Sequence, residues 1–332
     1  DSIENYRKVE TGSADDTFVG ANGAKDVFIG NDGSDVFNAS SGNDTFDGGS
    51  GPGTDYVDYS GATADITVNL GTGYASGSDY GTDKLIDLEK YETGSGDDVF
   101  TGSSDIDIFI ANAGDDTFIA SAGNDTFNGG TETNGDYIDY SGIGSTIIVD
   151  LSNNTVRDDG QSGNDVLSDI EHVIGSTAGD TIIGDAQNNT LIGLGGVDTL
   201  LGGAGDDVLS DGAGNDILKG EAGNDTFIGG AGDDTIYGGA DKDVLDYSAA
   251  TATVTIDFDN SQIISEYGTD TYSGIEVYKL GSNNDTFQGT TGTDSVYGSG
   301  GNDTMIGSDG NDFLGGGSGA DIYRGADVAG ND

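Results

Sequence analysis

Aspartate recurs every nine residues along much of this chain, set behind glycine and followed two places later by an apolar residue. In the stretch 202–234 the acids Asp207, Asp216, Asp225 and Asp234 keep this interval, each trailed by Leu209, Leu218, Phe227 or Ile236. The frame extends back through Asp198 and Asp180, with Asn189 between them, and forward to Asp243. It returns, with small insertions, at Asp16, Asp26, Asp35, Asp44 and Asp55, and again at Asp98, Asp107, Asp116, Asp125 and Asp136. A last run holds Asp285, Asp294, Asp303, Asp312, Asp321 and Asp332. Carboxylates held beside glycine turns, whose carbonyls can point together, form an all-oxygen cage. That donor set suits a hard, flexible cation such as Ca²⁺. Magnesium demands stricter octahedral geometry, and zinc would want His or Cys.

Such a cage needs turns that stack. The six residues from Gly229 to Asp234 are turn chemistry, and Thr235, Ile236 and Tyr237 make a minimal strand with one inward side chain. Two such units form a coil of about eighteen residues, and coils stack at about 4.8 Å. The expected fold is all-β, a parallel β-roll or β-helix solenoid with calcium ions between turns and several rolls joined by longer-strand inserts. Asp207 then meets Asp225, and Asp216 meets Asp234, so like charges face each other unless a cation lies between them. One apolar residue in nine is too thin a core to hold the stack, and roughly 10–15 calcium ions are expected to supply the rest.

The composition demands the same stabiliser. The 332 residues carry 61 Asp+Glu against 10 Lys+Arg, a net charge of −51, with 61 Gly and only 33% hydrophobic residues. In water alone this is the composition of a disordered chain, which buries too little apolar surface to offset its entropy. The charge repels nucleic acid and anionic lipid and invites cations. There is no Cys, so neither disulfides nor thiolate metal sites are available. No apolar run reaches the length of a membrane span. The opening "DSIENYRKVE" is polar and is no signal peptide, so any export address is expected elsewhere in a longer chain.

Three longer segments match one another between the arrays. They open with "DYVDYSG", "DYIDYSG" or "DVLDYSA" and continue with "ADITVNL", "TIIVDL" or "TVTIDF". They close with "DKLIDLEKYETGS", "DVLSDIEHVIGS" or "DTYSGIEVYKLGS". Alternation of period two predicts strands with one buried face. "DKLIDLEKYE" admits a short helix, but its copy "GIEVYKL" alternates, which favours strand. The expected organisation is the end of a preceding insert at 1–10, then array 11–58, insert 59–92, array 93–139, insert 140–174, array 175–246, insert 247–279 and array 280–332. "DSIENYRKVETGS" reads as a fourth closing piece and Asp332 as the next opening, so the sequence is read as a slice of a longer array.

The units "GGAGDDVLS" and "GGAGDDTIY" resemble the RTX (hemolysin-type) calcium-binding nonapeptide G-G-x-G-x-D-x-U-x. Gly202, Gly203, Gly205, Gly229, Gly230 and Gly232 match its glycines, and the acids named above match its aspartate. The resemblance implies a parallel β-roll with Ca²⁺ between successive turns, located outside the cell after type I secretion. Asn189 departs from the aspartate, Thr11 and Ala14 replace glycines, and Pro52 lies in a lengthened turn; sites using these are expected to be weaker or absent.

Other readings explain less. A flexible acidic linker would not keep a fixed apolar place beside each Asp. No EF-hand loop, G-x-S-x-G, H-E-x-x-H or P-loop occurs, so no catalytic residue is assigned and no enzyme is expected. The lone His172 reads as a packed or exposed side chain. The tyrosines of the repeated Asp-Tyr-Ser suggest a sugar site less well than packing over the end of a roll. Threonine at position seven (Thr17, Thr45, Thr117, Thr126, Thr181, Thr199, Thr226, Thr235) reflects strand propensity better than an ice-ordering ladder, since Val27, Val36, Val208 and Ile217 interrupt it. Position nine faces outward yet is often apolar (Val19, Ile29, Ile110, Ile119, Ile183, Ile192, Leu201, Ile228, Tyr237), which points to contact. The expected function is a calcium-binding structural segment of a large secreted bacterial surface protein: an adhesin stalk, matrix filament or S-layer-like protein. Its partners would be copies of itself or cell-surface polysaccharide. The alternative is the C-terminal folding and secretion domain of a type I-secreted enzyme (polysaccharide-acting, lipase or protease) whose catalytic part lies outside this sequence.

Overall fold

A computed structural model describes residues 6–131, 133–157, 163–258 and 260–325. The first residues of "DSIENYRKVETGS" and Asp332 lie outside the described residues. Contacts divide the chain into two units, one of 1–142 with 153–172 and the other of 143–152 with 173–332. Apart from one 3₁₀ turn at Leu151–Asn153, every regular element among the described residues is a β-strand, most of them three residues long. Each unit is a parallel β-solenoid.

In the first unit Val99–Thr101 pairs in parallel with Thr117–Ile119, placing Phe100 beside Phe118. Ile108–Ile110 pairs likewise with Thr126–Asn128, placing Phe109 beside Phe127. Successive strands alternate between two sheets, so the eighteen-residue coil is two turn-and-strand units. The inward rings interlock: Phe100 stacks on Phe118 at 5.1 Å and meets Phe109 of the other sheet at 5.0 Å. All four phenylalanines are fully buried. The second unit builds its interior mainly from aliphatic rungs, with Leu191, Leu209 and Leu245 and the aromatic Phe227 on one sheet. Ile182, Leu200, Leu218, Ile236 and Tyr272 line the other. The inward place is the one apolar residue of the nonapeptide. The residues flanking it point outward and stay partly exposed, among them Val19, Ile119, Ile228 and Tyr237.

The alternating segments are strands, at Ile66–Asn69, Ile148–Asp150 and Thr255–Asp257. "DKLIDLEKYE" is also strand, split into Gly81–Ile86 and Lys90–Glu92. Their direction was not legible. Ile66–Asn69, Tyr74–Gly77 and Gly81–Ile86 form an antiparallel trio, as do Thr255–Asp257, Gln262–Ile264 and Thr269–Ser273. In the first unit Thr155–Arg157 also runs antiparallel to Val166–Ser168. The outer strands of each trio rejoin the parallel ladder: Gly81–Ile86 lies on Thr45–Asp47, and Ile66–Asn69 on Val99–Thr101. The chain thus leaves the coil, reverses twice and returns without breaking the sheet. Period two reports which face of a strand is buried and carries no sign of its direction.

Candidate metal centre

The turns place the repeat aspartates in columns. The backbone N–H of one aspartate donates to the Oδ1 of the aspartate one coil on, as from Asp207 to Asp225 and from Asp216 to Asp234, both at 2.9 Å. In the first unit one column runs from Asp16 through Asp35 to Asp55, and the facing one joins Asp26 to Asp44. Beyond the insert, Asp98, Asp116 and Asp136 form a column, with Asp107 and Asp125 in the other. In the second unit Asp180, Asp198, Asp216 and Asp234 stand in one column. Asn189, Asp207, Asp225 and Asp243 stand in the other. Asp285, Asp303 and Asp321, with Asp294 and Asp312 beside them, complete the set. The predicted pairs two units apart therefore meet, but a backbone N–H, rather than the second carboxylate, takes one oxygen of each.

The other oxygen decides the chemistry. Oδ2 of Asp35, Asp98, Asp116, Asp198, Asp207, Asp216, Asp225, Asp234, Asp243, Asp285, Asp303 and Asp312 is buried and has no hydrogen-bond donor. A buried carboxylate oxygen left bare is costly unless a cation lies against it. Backbone oxygens crowd the same space. A Cβ on Gly202 would sit 2.3 Å from Asp207 Oδ2 and 3.0 Å from the Gly220 carbonyl, so only glycine leaves this space open. Gly203, Gly205, Gly230 and Gly232 lie against the carbonyls of Asp185, Gln187, Gly212 and Gly214 one coil back, and Gly229 lies against the ring of Tyr247. Bare carboxylate oxygens beside carbonyls, with no nitrogen or sulfur donor, fit Ca²⁺.

Other aspartates, some in the same columns, carry their own donor. At five places a Ser or Thr four residues before the aspartate bonds the carboxylate through its hydroxyl: Ser40 on Asp44, Ser103 on Asp107, Ser121 on Asp125, Ser176 on Asp180 and Thr290 on Asp294. The Ser299 hydroxyl instead turns to the Leu280 carbonyl and leaves Asp303 bare. Asp26 is held by the Ala21 N–H and by Arg7 at 3.4 Å. Among the departures, Asn189 keeps its place in the column, its N–H donating to Asp207 at 2.8 Å. The Thr11 hydroxyl donates to the Gly30 carbonyl, and the Ala14 carbonyl still stacks on Gly33.

Six acids in the inserts, outside the tandem nine-residue arrays, continue the columns. Asp83, Asp165 and Asp270 accept the N–H of Asp44, Asp125 and Asp234. Glu89, Glu171 and Glu276 accept that of Asp55, Asp136 and Asp243. The three closing segments hold both acids at matching places, which was the available signal. Here the tyrosines of Asp-Tyr-Ser find their role: the hydroxyls of Tyr59 and Tyr140 donate to Asp83 and Asp165 at 2.9 and 3.1 Å, and that of Tyr247 to Asp270. All three rings are fully buried, so they pack as expected and offer no surface to a sugar. The hydroxyl satisfies the oxygen left bare within the arrays. His172 is a packed side chain, its ring 4.5 Å from Tyr137 and its Nε2 2.8 Å from the Asn134 carbonyl. Sequence reasoning also missed Asp211, a buried acid in the place of a turn glycine.

Burial raises these carboxyls. Asp116, Asp198 and Asp207 are pushed up to about 7, first by loss of water and then by the neighbouring aspartates. A folded-state value above the unfolded one, about 3.9, means that protonation favours the fold. This contribution is full below pH about 4 and is lost as pH rises through about 7. In chelator, the β-signal in circular dichroism is therefore expected to grow as pH is lowered from about 8 to about 5; a fall would contradict the assignment.

The model of the RTX calcium-binding nonapeptide repeat (4 copies) matches residues 21–55, 92–127, 174–209, 210–245, 281–314 and 298–327, more than half of the chain. A search of curated proteins finds no match. The matched spans are the arrays whose turns stack glycine on carbonyl and line up half-satisfied carboxylates. On that match the chain belongs to the RTX calcium-binding nonapeptide repeat family.

Proposed function

We propose that this chain is a structural segment of a large secreted surface protein, of the adhesin-stalk, matrix-filament or S-layer kind, which folds and stiffens on extracellular calcium. The ions would lie at the bare aspartate oxygens of the arrays. The observation that carries the reading is that the inserts extend the carboxylate columns instead of ending them, through Asp83, Asp165 and Asp270. A tail needed only to fold once has no use for three such excursions, each with its own tyrosine cap. Outward apolar residues such as Val19, Ile228 and Tyr237 support contact with further copies of the chain. Among the described residues no helix is long and apolar enough to cross a membrane.

A second reading, the calcium-triggered folding and export domain of a secreted enzyme, draws on the bare carboxylates themselves. At cytosolic calcium they leave the fold unfavourable and the chain fit for a narrow exporter. Electron microscopy of purified protein in millimolar calcium separates the two. Ordered polymers that dissolve in chelator are expected; monodisperse monomers at all concentrations would favour the export reading.

A further inference from the structure

Position 211 breaks the glycine rule of the turns. Five residues before the column aspartates of the third array stand Gly193, Gly202, Gly220, Gly229 and Gly238, but Asp216 is preceded there by Asp211. The Asp211 side chain is fully buried. Its Oδ1 accepts the Gly212 N–H at 2.6 Å, and its Oδ2 has no donor. Asp216 and Asp234 also present bare, buried Oδ2 atoms. One carboxylate oxygen from each of the three lies within 4.8 Å of the others. Among the described residues, none of the ion pairs made by Lys or Arg reaches this cluster. Three acids thus converge where the glycine-bearing turns bring two.

We propose that Asp211 converts this turn into a three-carboxylate calcium site that fills before the glycine-bearing turns do. The inference rests on the reading that cations occupy the turns, and adds that one turn is set apart by its charge. Carboxylate count tunes calcium affinity over decades, so the extra acid tightens binding by about tenfold or more. The filled site would pin the coils carrying Asp216 and Asp234 together while the other turns are still empty.

The test is calorimetric titration of the full chain with calcium after chelator stripping. The first equivalent is expected to bind about tenfold or more tighter than those that follow. Asp211→Gly, which restores the repeat, and Asp211→Asn, which keeps the side-chain volume, should both lose that step. Both variants should retain full β content at millimolar calcium. A first step unchanged in both variants overturns the proposal. If the unaltered chain takes up no calcium, the proposal falls together with the reading beneath it. Calcium uptake by all three chains with identical affinities removes the proposal alone.

Discussion

In excess chelator at neutral pH the chain is expected to show the circular dichroism of a coil, and to regain β structure cooperatively as free calcium rises towards the millimolar range. The argument is one of magnitudes. A site with Kd about 10⁻⁴ M, in free calcium about 10⁻³ M, stabilises the folded state by about 1.4 kcal/mol. Ten such sites supply about 14 kcal/mol, comparable to the whole stability of an ordinary domain. Without the ions that term vanishes, while bare oxygens such as those of Asp116, Asp198 and Asp207 remain buried. The interior offers one inward side chain per three-residue strand, as at Leu209 and Phe227, which is thin compensation. Changing Asp207, Asp216 and Asp225 together to Ala should lower calcium uptake and the steepness of refolding. Full β structure in chelator at neutral pH would remove the basis of this account.

The second large effect falls on the backbone. Gly232→Ala should lower the calcium-saturated midpoint of thermal unfolding by about 10 °C, equivalent to about 3 kcal/mol or more. Gly232 has φ +153° and an added Cβ would lie 1.4 Å from the Gly214 carbonyl. The contact is backbone on backbone, so no side chain can swing aside. The coils must separate at that turn, and the carboxylate of Asp234 moves with it. Gly144 is the control in the same unit: no atom lies within 4 Å of its added Cβ. Ala there should shift the midpoint by a degree or so at most. Equal effects at the two positions would show that stacking of the turns does not limit stability.

The two experiments probe different halves of one device. Calcium would act on the carboxylate oxygen that the backbone leaves bare, whereas glycine lets the turns approach closely enough for the carboxylates to form columns. Position two of the unit shows how firmly the turn is imposed. Leu194 and Glu221 adopt φ of 70° and 76° there, the left-handed region that ordinarily favours glycine. The stacking of neighbouring coils therefore outweighs a local preference of about 1–2 kcal/mol.

What the residues settle alone is what repeats at short range. An aspartate every nine residues, with an apolar residue two places on, dictates turn and strand in alternation, and hence parallel coils with Leu209 over its equivalent Phe227. Turn composition and charge likewise point to a hard divalent cation. What only the tertiary structure decided is what depends on how the chain returns. Asp83, Asp165 and Asp270 lie 39, 40 and 36 residues from the aspartates whose N–H groups they accept. A frame of nine steps past Asp83 and Asp165 and reaches Asp270 only across positions that carry no acid, Ala252 and Ser261, because an antiparallel hairpin occupies the interval. Which oxygens stay bare was equally hidden. It turns on a serine at position 40 or 103, a tyrosine hydroxyl at 59 or 140, or nothing, reaching a given carboxylate. Spacing fixes which residues share a face, whereas donors and acceptors pair by distance in space, and that distance exists only once the coils are stacked.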